Sequence, residues 1–140
     1  MPTYREIAVE ALIACQAIEF GLKQYIAMHY KATTKLLKPA NLHYGLNSTN
    51  VESASLERLV KIFCSLNGNA TFKKELSIFV NSRNHLAHQA LLHDSPAKGV
   101  LKTDLEVEQK RIGSILVEST AIARGLTKEI LTLAEVVKTL

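Results

Sequence analysis

The stretch IGSILVESTAIARGLTKEILTLAEVVKTL, residues 112–140, decides the fold because its apolar positions recur with the period of an α-helix. Nine positions alternate steps of four and three: Ile112, Leu116, Ser119, Ala123, Leu126, Ile130, Leu133, Val137 and Leu140. This heptad seam predicts a long helix that another helix covers. Thr103 and Glu106 have the spacing of a capping box, which predicts that the helix begins there. A seam of this length indicates a dimer interface, unless the helix frays or breaks at Gly125.

A second long helix is predicted at the start of the chain. Thr3 and Glu6 form another capping box, and Pro39 ends the helical pattern after about Leu37. One face repeats residues at helical spacing: Ile7, Ala11, Ala14, Ile18, Leu22, Tyr25 and His29. Many other positions are also apolar, which indicates that this helix is contacted on more than one side.

The middle of the chain predicts two shorter helices. Residues 39–54 are rich in breakers and predict a loop, or a loop with one short turn. A helix follows over about 55–66, with Gly68 as its left-handed cap, and another over about 70–93. Since no stretch has the period of a strand, we predict an all-α, up-down bundle of four main helices that forms a single domain over residues 1–140 and dimerises.

The composition is that of one globular domain, with 140 residues of which 47% are hydrophobic. Cys15 and Cys64 each lie in an apolar helical pattern, which is typical of small core residues in a reducing compartment. Polar residues interrupt the apolar stretch 7–30 well short of the roughly 18 residues that a membrane span needs. We expect a soluble, cytoplasmic protein with no secretory signal and no membrane contact. The net charge of +4 comes from an excess of lysine and arginine in residues 1–102, which allows a polyanionic partner.

The stretch NSRNHLAHQALLHD, residues 81–94, places polar groups in the third predicted helix. At about 100° per residue, Arg83 falls near the middle of the apolar arc formed by Phe72, Leu76, Phe79, Val80, Leu86, Ala87 and Ala90. An arginine cannot lose its charge there, so a carboxylate, a subunit interface or a phosphate must meet it. Glu19 of the first helix is the best candidate for a structural ion pair with Arg83.

Another face of this helix groups four polar residues: Ser77, Asn81, Asn84 and His88. His85 is predicted to lie further round, nearer solvent. Arg83 and His88 are about 140° apart, too far for a direct pair, so they would converge on a third group between them. A zinc site of His85, His88 and His93 is not expected, because the first two diverge by about 60° and no carboxylate completes the set.

The hexapeptide RNHLAH, residues 83–88, resembles the signature of the HEPN superfamily, all-helical domains marked by an arginine, four to six residues and a histidine. Asn84 occupies the slot after the arginine that is commonly Asn, Asp or His. AIEFGLKQYI, residues 17–26, is similar to part of the first helix of many such proteins. The resemblance implies a dimeric, metal-independent endoribonuclease without a cofactor, often the toxin of a toxin–antitoxin or phage-defence system.

The resemblance also implies roles for individual residues in an attack of the ribose 2'-hydroxyl on the neighbouring phosphate of RNA. His88 would take or return a proton, Arg83 would hold the scissile phosphate, and Asn84 would orient the phosphate or the imidazole. Glu19 and His85 would hold these catalytic residues in position without contacting the reacting atoms. Lys73 and Lys74 are candidates for contact with the RNA backbone, the alternative being that they are solvated surface.

Two questions stay open: whether an antitoxin would pair with the chain, and whether the motif serves catalysis. Ala90 occupies the slot in which the subgroup inactivated by a nucleotidyltransferase has a tyrosine, so a partner antitoxin of that type is not expected, and the sequence leaves open whether another antitoxin protein exists. The alternative function is a non-catalytic helical module that keeps the motif for structure, for dimerisation, or for binding RNA or a partner protein.

Overall fold

The computed structural model describes residues 3–42, 51–89 and 102–140, apart from the side chains of Gln89 and of residues 102–105. Most of these residues form four α-helices: α1 Tyr4–Leu37, α2 Leu56–Leu66, α3 Ala70–Gln89 and α4 Lys102–Lys138. A 3-10 helix, Lys38–Ala40, follows α1, and no strand occurs within the described ranges. The prediction of an all-α fold with four main helices is confirmed, while residues 90–93 of the predicted third helix lie outside the described residues.

Side-chain caps set the starts of α1 and α2. Thr3 Oγ1 accepts a hydrogen bond from the backbone N–H of Glu6 at 3.2 Å, and Glu6 Oε2 accepts one from the N–H of Thr3 at 3.0 Å. This capping box is the predicted one, and Ser55 caps α2 by accepting from the N–H of Arg58. The capping box predicted at Thr103 is wrong, because Thr103 already lies inside α4. The same spacing of residues occurs within helices, so it does not by itself locate the first turn.

Helices α1 and α4 lie side by side and run in the same direction. Cys15 Sγ is 4.0 Å from Ser119 Oγ, and a Cβ added to Gly21 would lie 2.6 Å from Leu126 Cδ2. Positions further along α1 thus meet positions further along α4. The alternation expected of an up-down bundle is therefore wrong for this pair, because the first and last of four alternating helices would run in opposite directions.

The two parallel helices share one heptad pattern in register. The buried positions of α1 along this seam are Tyr4, Ala8, Ala11, Cys15, Ile18, Leu22 and Tyr25. Those of α4 are Glu108, Ile112, Ile115, Ser119, Ile122 and Leu126. The predicted seam of α4 is therefore rotated slightly, and Leu116 and Ala123 lie half-buried beside it. Because α1 covers the seam of α4 from Glu108 to Leu126, this part of the seam is packed within one chain and is not a dimer interface. Dimerisation itself stays a prediction.

Gly125 marks a close approach of α4 to α3. A Cβ at this position would lie 2.5 Å from Cε1 of Phe72, so the phenyl ring occupies the space of a side chain. Helix α4 continues unbroken through Gly125 to Lys138. The alternative that the helix breaks at this glycine is therefore wrong, and the residue serves packing.

A polar network ties the turn between α2 and α3 to both long helices. Asn67 is only 8% exposed, and its Nδ2 donates to Tyr25 Oη on α1 and to Glu129 Oε2 on α4, each at 3.0 Å. Asn69 Nδ2 donates to the other oxygen of Glu129 at 2.7 Å. The turn thus fixes the position of α2 and α3 against the α1–α4 pair.

The exit from α2 differs from the prediction of a left-handed glycine cap. Gly68 does not adopt a left-handed conformation. Helix α2 instead ends at Leu66, and its C-cap residue Asn67 has an extended backbone at φ −108° and ψ 141°. Asn69 Oδ1 then accepts from the N–H of Phe72 at 3.1 Å and caps α3. Side-chain hydrogen bonds of two asparagines replace the backbone conformation that glycine was expected to supply.

Candidate functional site

Arg83 lies at the edge of the core rather than in its middle. Its Nη2 is 3.4 Å from Glu19 Oε1, which confirms the predicted ion pair. The side chains of Arg83 and Glu19 are 36% and 25% exposed, so the expectation of a guanidinium surrounded by core is wrong. Leu86 is fully buried but Ala87 is exposed, because the packing of α3 against the bundle thins towards its carboxyl end. The long arginine stem lets the charged head reach solvent from an inward-facing position.

Cys15 lies on the core side of this ion pair. Burial raises the pKa of the Cys15 thiol, while its contact with Ser119 and the charge of Arg83 act in the opposite direction. Arg83 is thus a cation held in place by α1, with one side towards the core and one side towards solvent.

The other two motif residues, Asn84 and His88, are exposed on α3. Within the described ranges, neither side chain makes a hydrogen bond or ion pair. The structure therefore does not bring Arg83 and His88 into contact within one chain, in keeping with their wide separation around the helix. A catalytic site made of these residues needs a further surface that faces them.

Of the two histidines in residues 83–88, His85 is the one whose side chain contacts another helix. Its Nε2 lies 2.5 Å from Glu108 Oε1, and the two side chains are only 16% and 10% exposed. The prediction that His85 lies near solvent is wrong, because α4 packs against that side of α3. Glu108 was not predicted as a site residue, although it lies one turn before Ile112, at a position where the heptad pattern calls for an apolar side chain.

A groove lies between α3 and α4. It encloses about 290 Å³, and its lining residues are Ile78, Asn81, Ser82, Arg111, Ser114, Ile115 and Glu118. Ser82 Oγ donates to Glu118 Oε2 at 2.9 Å. Arg111 is exposed and forms no ion pair among the residues that the structure describes. Sequence reasoning missed Arg111 because helical periodicity alone does not show which solvent-facing positions of two helices share a groove.

The lysines predicted to contact RNA lie at the opposite end of α3. Lys73 Nζ donates to the backbone carbonyl of Cys64 at 3.2 Å and so stabilises the end of α2, whereas Lys74 is exposed. Fourteen residues separate Lys74 from His88, or roughly 21 Å at 1.5 Å per residue. Lys73 therefore has a structural role, and both lysines lie far from the motif.

The described residues contain neither a metal-binding cluster nor a membrane-spanning helix. Among the residues described, no three histidine, cysteine or acidic side chains are grouped closely enough to hold a metal ion. His93, a member of the zinc set considered above, lies outside those residues. None of the described helices combines the length and apolar character needed to cross a membrane.

Comparison of the chain with family models, with curated proteins and with solved structures gives no significant match.

Proposed function

We propose that the chain is a metal-independent endoribonuclease of the HEPN type that acts as a dimer. The observation that carries the proposal is the state of Arg83, which Glu19 holds in place while more than a third of its side chain stays open to solvent. A guanidinium has five N–H donors in a planar fork, so one contact at 3.4 Å leaves most of them for another acceptor. A phosphodiester matches that fork.

The chemistry follows from the residue types at the exposed end of α3. Arg83 would bind the scissile phosphate and offset the charge that develops as the ribose 2'-oxygen attacks phosphorus. The imidazole of His88 would transfer one of the protons, and Asn84 would orient the phosphate. The bond from phosphorus to the 5'-oxygen breaks, which leaves a 2',3'-cyclic phosphate and a 5'-hydroxyl end.

A second copy of the chain would complete the site. The outer side of α1 exposes Val9, Ile13 and Phe20, which recur at helical spacing. Phe20 is 63% exposed and forms one wall of an apolar groove of about 240 Å³ that also includes Ala27 and Tyr30. Large apolar side chains grouped on a surface mark places that another molecule covers. In the proposed dimer, the two copies bring Arg83 and His88 to one cleft.

Cleavage of RNA in EDTA tests this proposal directly. The wild-type chain is expected to cut single-stranded RNA without added metal, and Arg83→Ala and His88→Ala are each expected to lower the rate at least about 100-fold. Lys61→Ala is the matched control, since Lys61 is an exposed cation on α2 that pairs with Glu57. Equal activity of all four proteins would assign the cleavage to a contaminant and reject the proposal.

A second candidate function is a non-catalytic module that binds RNA or a partner protein. The exposed apolar residues of α1 favour it, because they call for a covering partner but not for chemistry. RNA that stays intact both in EDTA and in magnesium, together with RNA binding or self-association by the same protein, would select this alternative.

A further inference from the structure

We propose that His85 is the general base of this reaction, that Glu108 positions it, and that the RNA backbone follows the α3–α4 groove with a phosphate on Arg111. The inference rests on the proposed function and adds to it a second proton-transfer group, a positioning residue and a path for the substrate. None of these three residues has a catalytic role in the motif-based proposal, in which His85 only supports the catalytic residues.

The reaction itself calls for a second group. Attack by the 2'-hydroxyl requires a base that takes its proton, and departure of the 5'-oxygen requires an acid that supplies one. One imidazole cannot be unprotonated and protonated at the same moment. His85 and His88 are three positions apart on α3, and residues at this spacing have Cβ atoms about 5–6 Å apart. Two imidazoles of one chain are therefore close enough to serve one phosphodiester.

The position of Glu108 is costly unless it has a use. It occupies a seam position of α4 and is 8% exposed, and burial of a carboxylate without a partner is strongly unfavourable. An apolar residue would pack there at no such cost, as Ile112 does one turn later. The contact with His85 offsets the burial, and it fixes the imidazole between α3 and α4. Fixed orientation is what a general base requires.

The contact with Glu108 also selects the tautomer of His85. An ionised carboxylate can only accept hydrogen bonds, so Nε2 of His85 carries the proton that it donates to Glu108. A neutral imidazole with Nε2 protonated has an unprotonated Nδ1. Among the residues that the structure describes, the bond from Nε2 is the single hydrogen bond of this ring, and Nδ1 has no partner.

The groove supplies a path for the substrate. Asn81 precedes His85 by one turn of α3, and Arg111 follows Glu108 by one turn of α4, so these two groove residues lie within one turn of the pair on the helices that carry it. The guanidinium of Arg111 is exposed and unpaired within the described part of the chain, as a phosphate ligand must be. Glu118, the carboxylate lining this groove, lies ten residues from Glu108, or roughly 15 Å along the helix.

Nδ1 of His85 takes the proton of the ribose 2'-hydroxyl as the 2'-oxygen forms a bond to phosphorus. The bond between phosphorus and the 5'-oxygen breaks, and His88 in its protonated form gives a proton to that oxygen. The products are a 2',3'-cyclic phosphate and a 5'-hydroxyl end, and the two histidines are left in exchanged protonation states that solvent restores.

The variant His85→Gln isolates the role of Nδ1. A glutamine amide can still donate to Glu108 in place of Nε2–H, so the pairing across α3 and α4 is kept while the base is removed. The kcat for RNA cleavage in EDTA is expected to fall 10²- to 10⁴-fold, with KM changed less than about threefold. His29→Gln is the matched control, because His29 is a half-buried histidine of α1 whose Nδ1 lies 3.3 Å from Thr33 Oγ1 and which lies outside the site.

A substrate with sulfur in place of the bridging 5'-oxygen distinguishes the base from the acid. A thiolate leaves without protonation, so activity lost in His88→Ala is expected to return on this substrate, whereas activity lost in His85→Gln is expected to stay low. Recovery of His85→Gln on the sulfur substrate would overturn the assignment of His85 as base. Addition of free imidazole to His85→Gly offers a second check, and recovery of at least tenfold is expected.

Two further variants test the positioning residue and the groove. In Glu108→Gln, the glutamine oxygen can still accept a hydrogen bond from Nε2–H of His85, but the side chain carries no charge. This variant is expected to lower kcat at least tenfold, while its melting temperature stays within about 4 °C of wild type. Arg111→Ala is expected to raise KM. Lys110 is exposed and does not line the groove, so Lys110→Ala is expected to leave KM unchanged.

Each outcome separates this inference from the proposed function. If the wild type cleaves RNA and folded His85→Gln matches His29→Gln in rate, the base comes from elsewhere, and the inference is overturned while the proposed function stands. If the wild type leaves RNA intact, the proposed function fails and this inference fails with it. Should His85→Gln not fold, Glu108→Gln decides, and an unchanged kcat in that variant would identify the pair as a structural lock.

Discussion

Glu19 Oε1 lies 3.4 Å from Arg83 Nη2, and this pair joins the middle of α1 to the carboxyl-terminal half of α3. Both side chains are partly exposed, so water screens their attraction. The pair therefore orients the guanidinium more than it stabilises the fold. Mutation of the pair can therefore separate its effect on activity from its effect on stability.

Arg83→Ala and Glu19→Gln are each expected to lower the free energy of unfolding by about 1 kcal/mol or less, because partly exposed ion pairs contribute roughly 0–1 kcal/mol. Arg83→Ala is nevertheless expected to abolish RNA cleavage, which separates the two roles. Urea denaturation gives the stability, and a double-mutant cycle gives the coupling between the residues. A loss above about 3 kcal/mol in Arg83→Ala would instead identify a structural arginine.

Gly125→Ala is expected to destabilise the protein by about 1–3 kcal/mol, since the added Cβ would meet the ring of Phe72 at 2.5 Å. Gly113→Ala is the control on the same helix, because a Cβ there would have no neighbouring atom within 4 Å. That control is expected to stabilise the protein by up to about 1 kcal/mol through helix propensity. Thermal unfolding followed by circular dichroism compares them, and equal effects at both glycines would contradict the packing role of Gly125.

Asn67→Ala is expected to cost about 1–3 kcal/mol, because it leaves Tyr25 and Glu129 without the donor that links them in a largely buried site. Asn81→Ala, an exposed asparagine on α3, serves as control and is expected to change stability by no more than about 0.5 kcal/mol. Chemical denaturation of the two variants measures the difference. Similar stabilities would mean that the network contributes little to the placement of α2 and α3.

Stability is expected to fall as the pH is lowered through the titration of His29. Burial lowers the pKa of His29, so the unfolded chain binds its proton at a higher pH than the folded one. The unfolded state therefore binds more protons below about pH 6.5, and the free energy of unfolding decreases there until the folded state is protonated too. His29→Gln is expected to flatten the slope of stability against pH between about pH 7 and pH 5. An unchanged slope would show that His29 titrates alike in both states.

Helix content and the main helix ends could be predicted from local sequence. The capping box at Thr3, the end of α1 near Leu37 and the bounds of α2 are decided by residues within a few positions of each other. Local rules failed where one pattern suits two structures, as at Thr103 inside α4 and at Gly68 in the turn after α2.

The candidate site was predictable in part. The polar residues of α3 and the partnership of Arg83 with Glu19 follow from helical geometry and from the cost of an unpaired charge. Glu108 and Arg111 could not be placed beside them, because neither residue breaks the pattern of α3 and the sequence does not show how α4 lies against that helix. Which residues of two helices meet depends on how far one is shifted along the other and on its rotation.

The sequence by itself determined that this chain forms amphipathic helices and, to within a small rotation, where the apolar face of the long helices lies, since periodicity and caps act over one or two turns. Only the tertiary structure decided that α1 and α4 pair in parallel, that α1 rather than a second copy covers the seam of α4, and that His85 rather than His88 receives a carboxylate partner. The physical reason is that apolar stripes carry no direction: helices can pack along them parallel or antiparallel, and the contacts of the whole bundle select one arrangement.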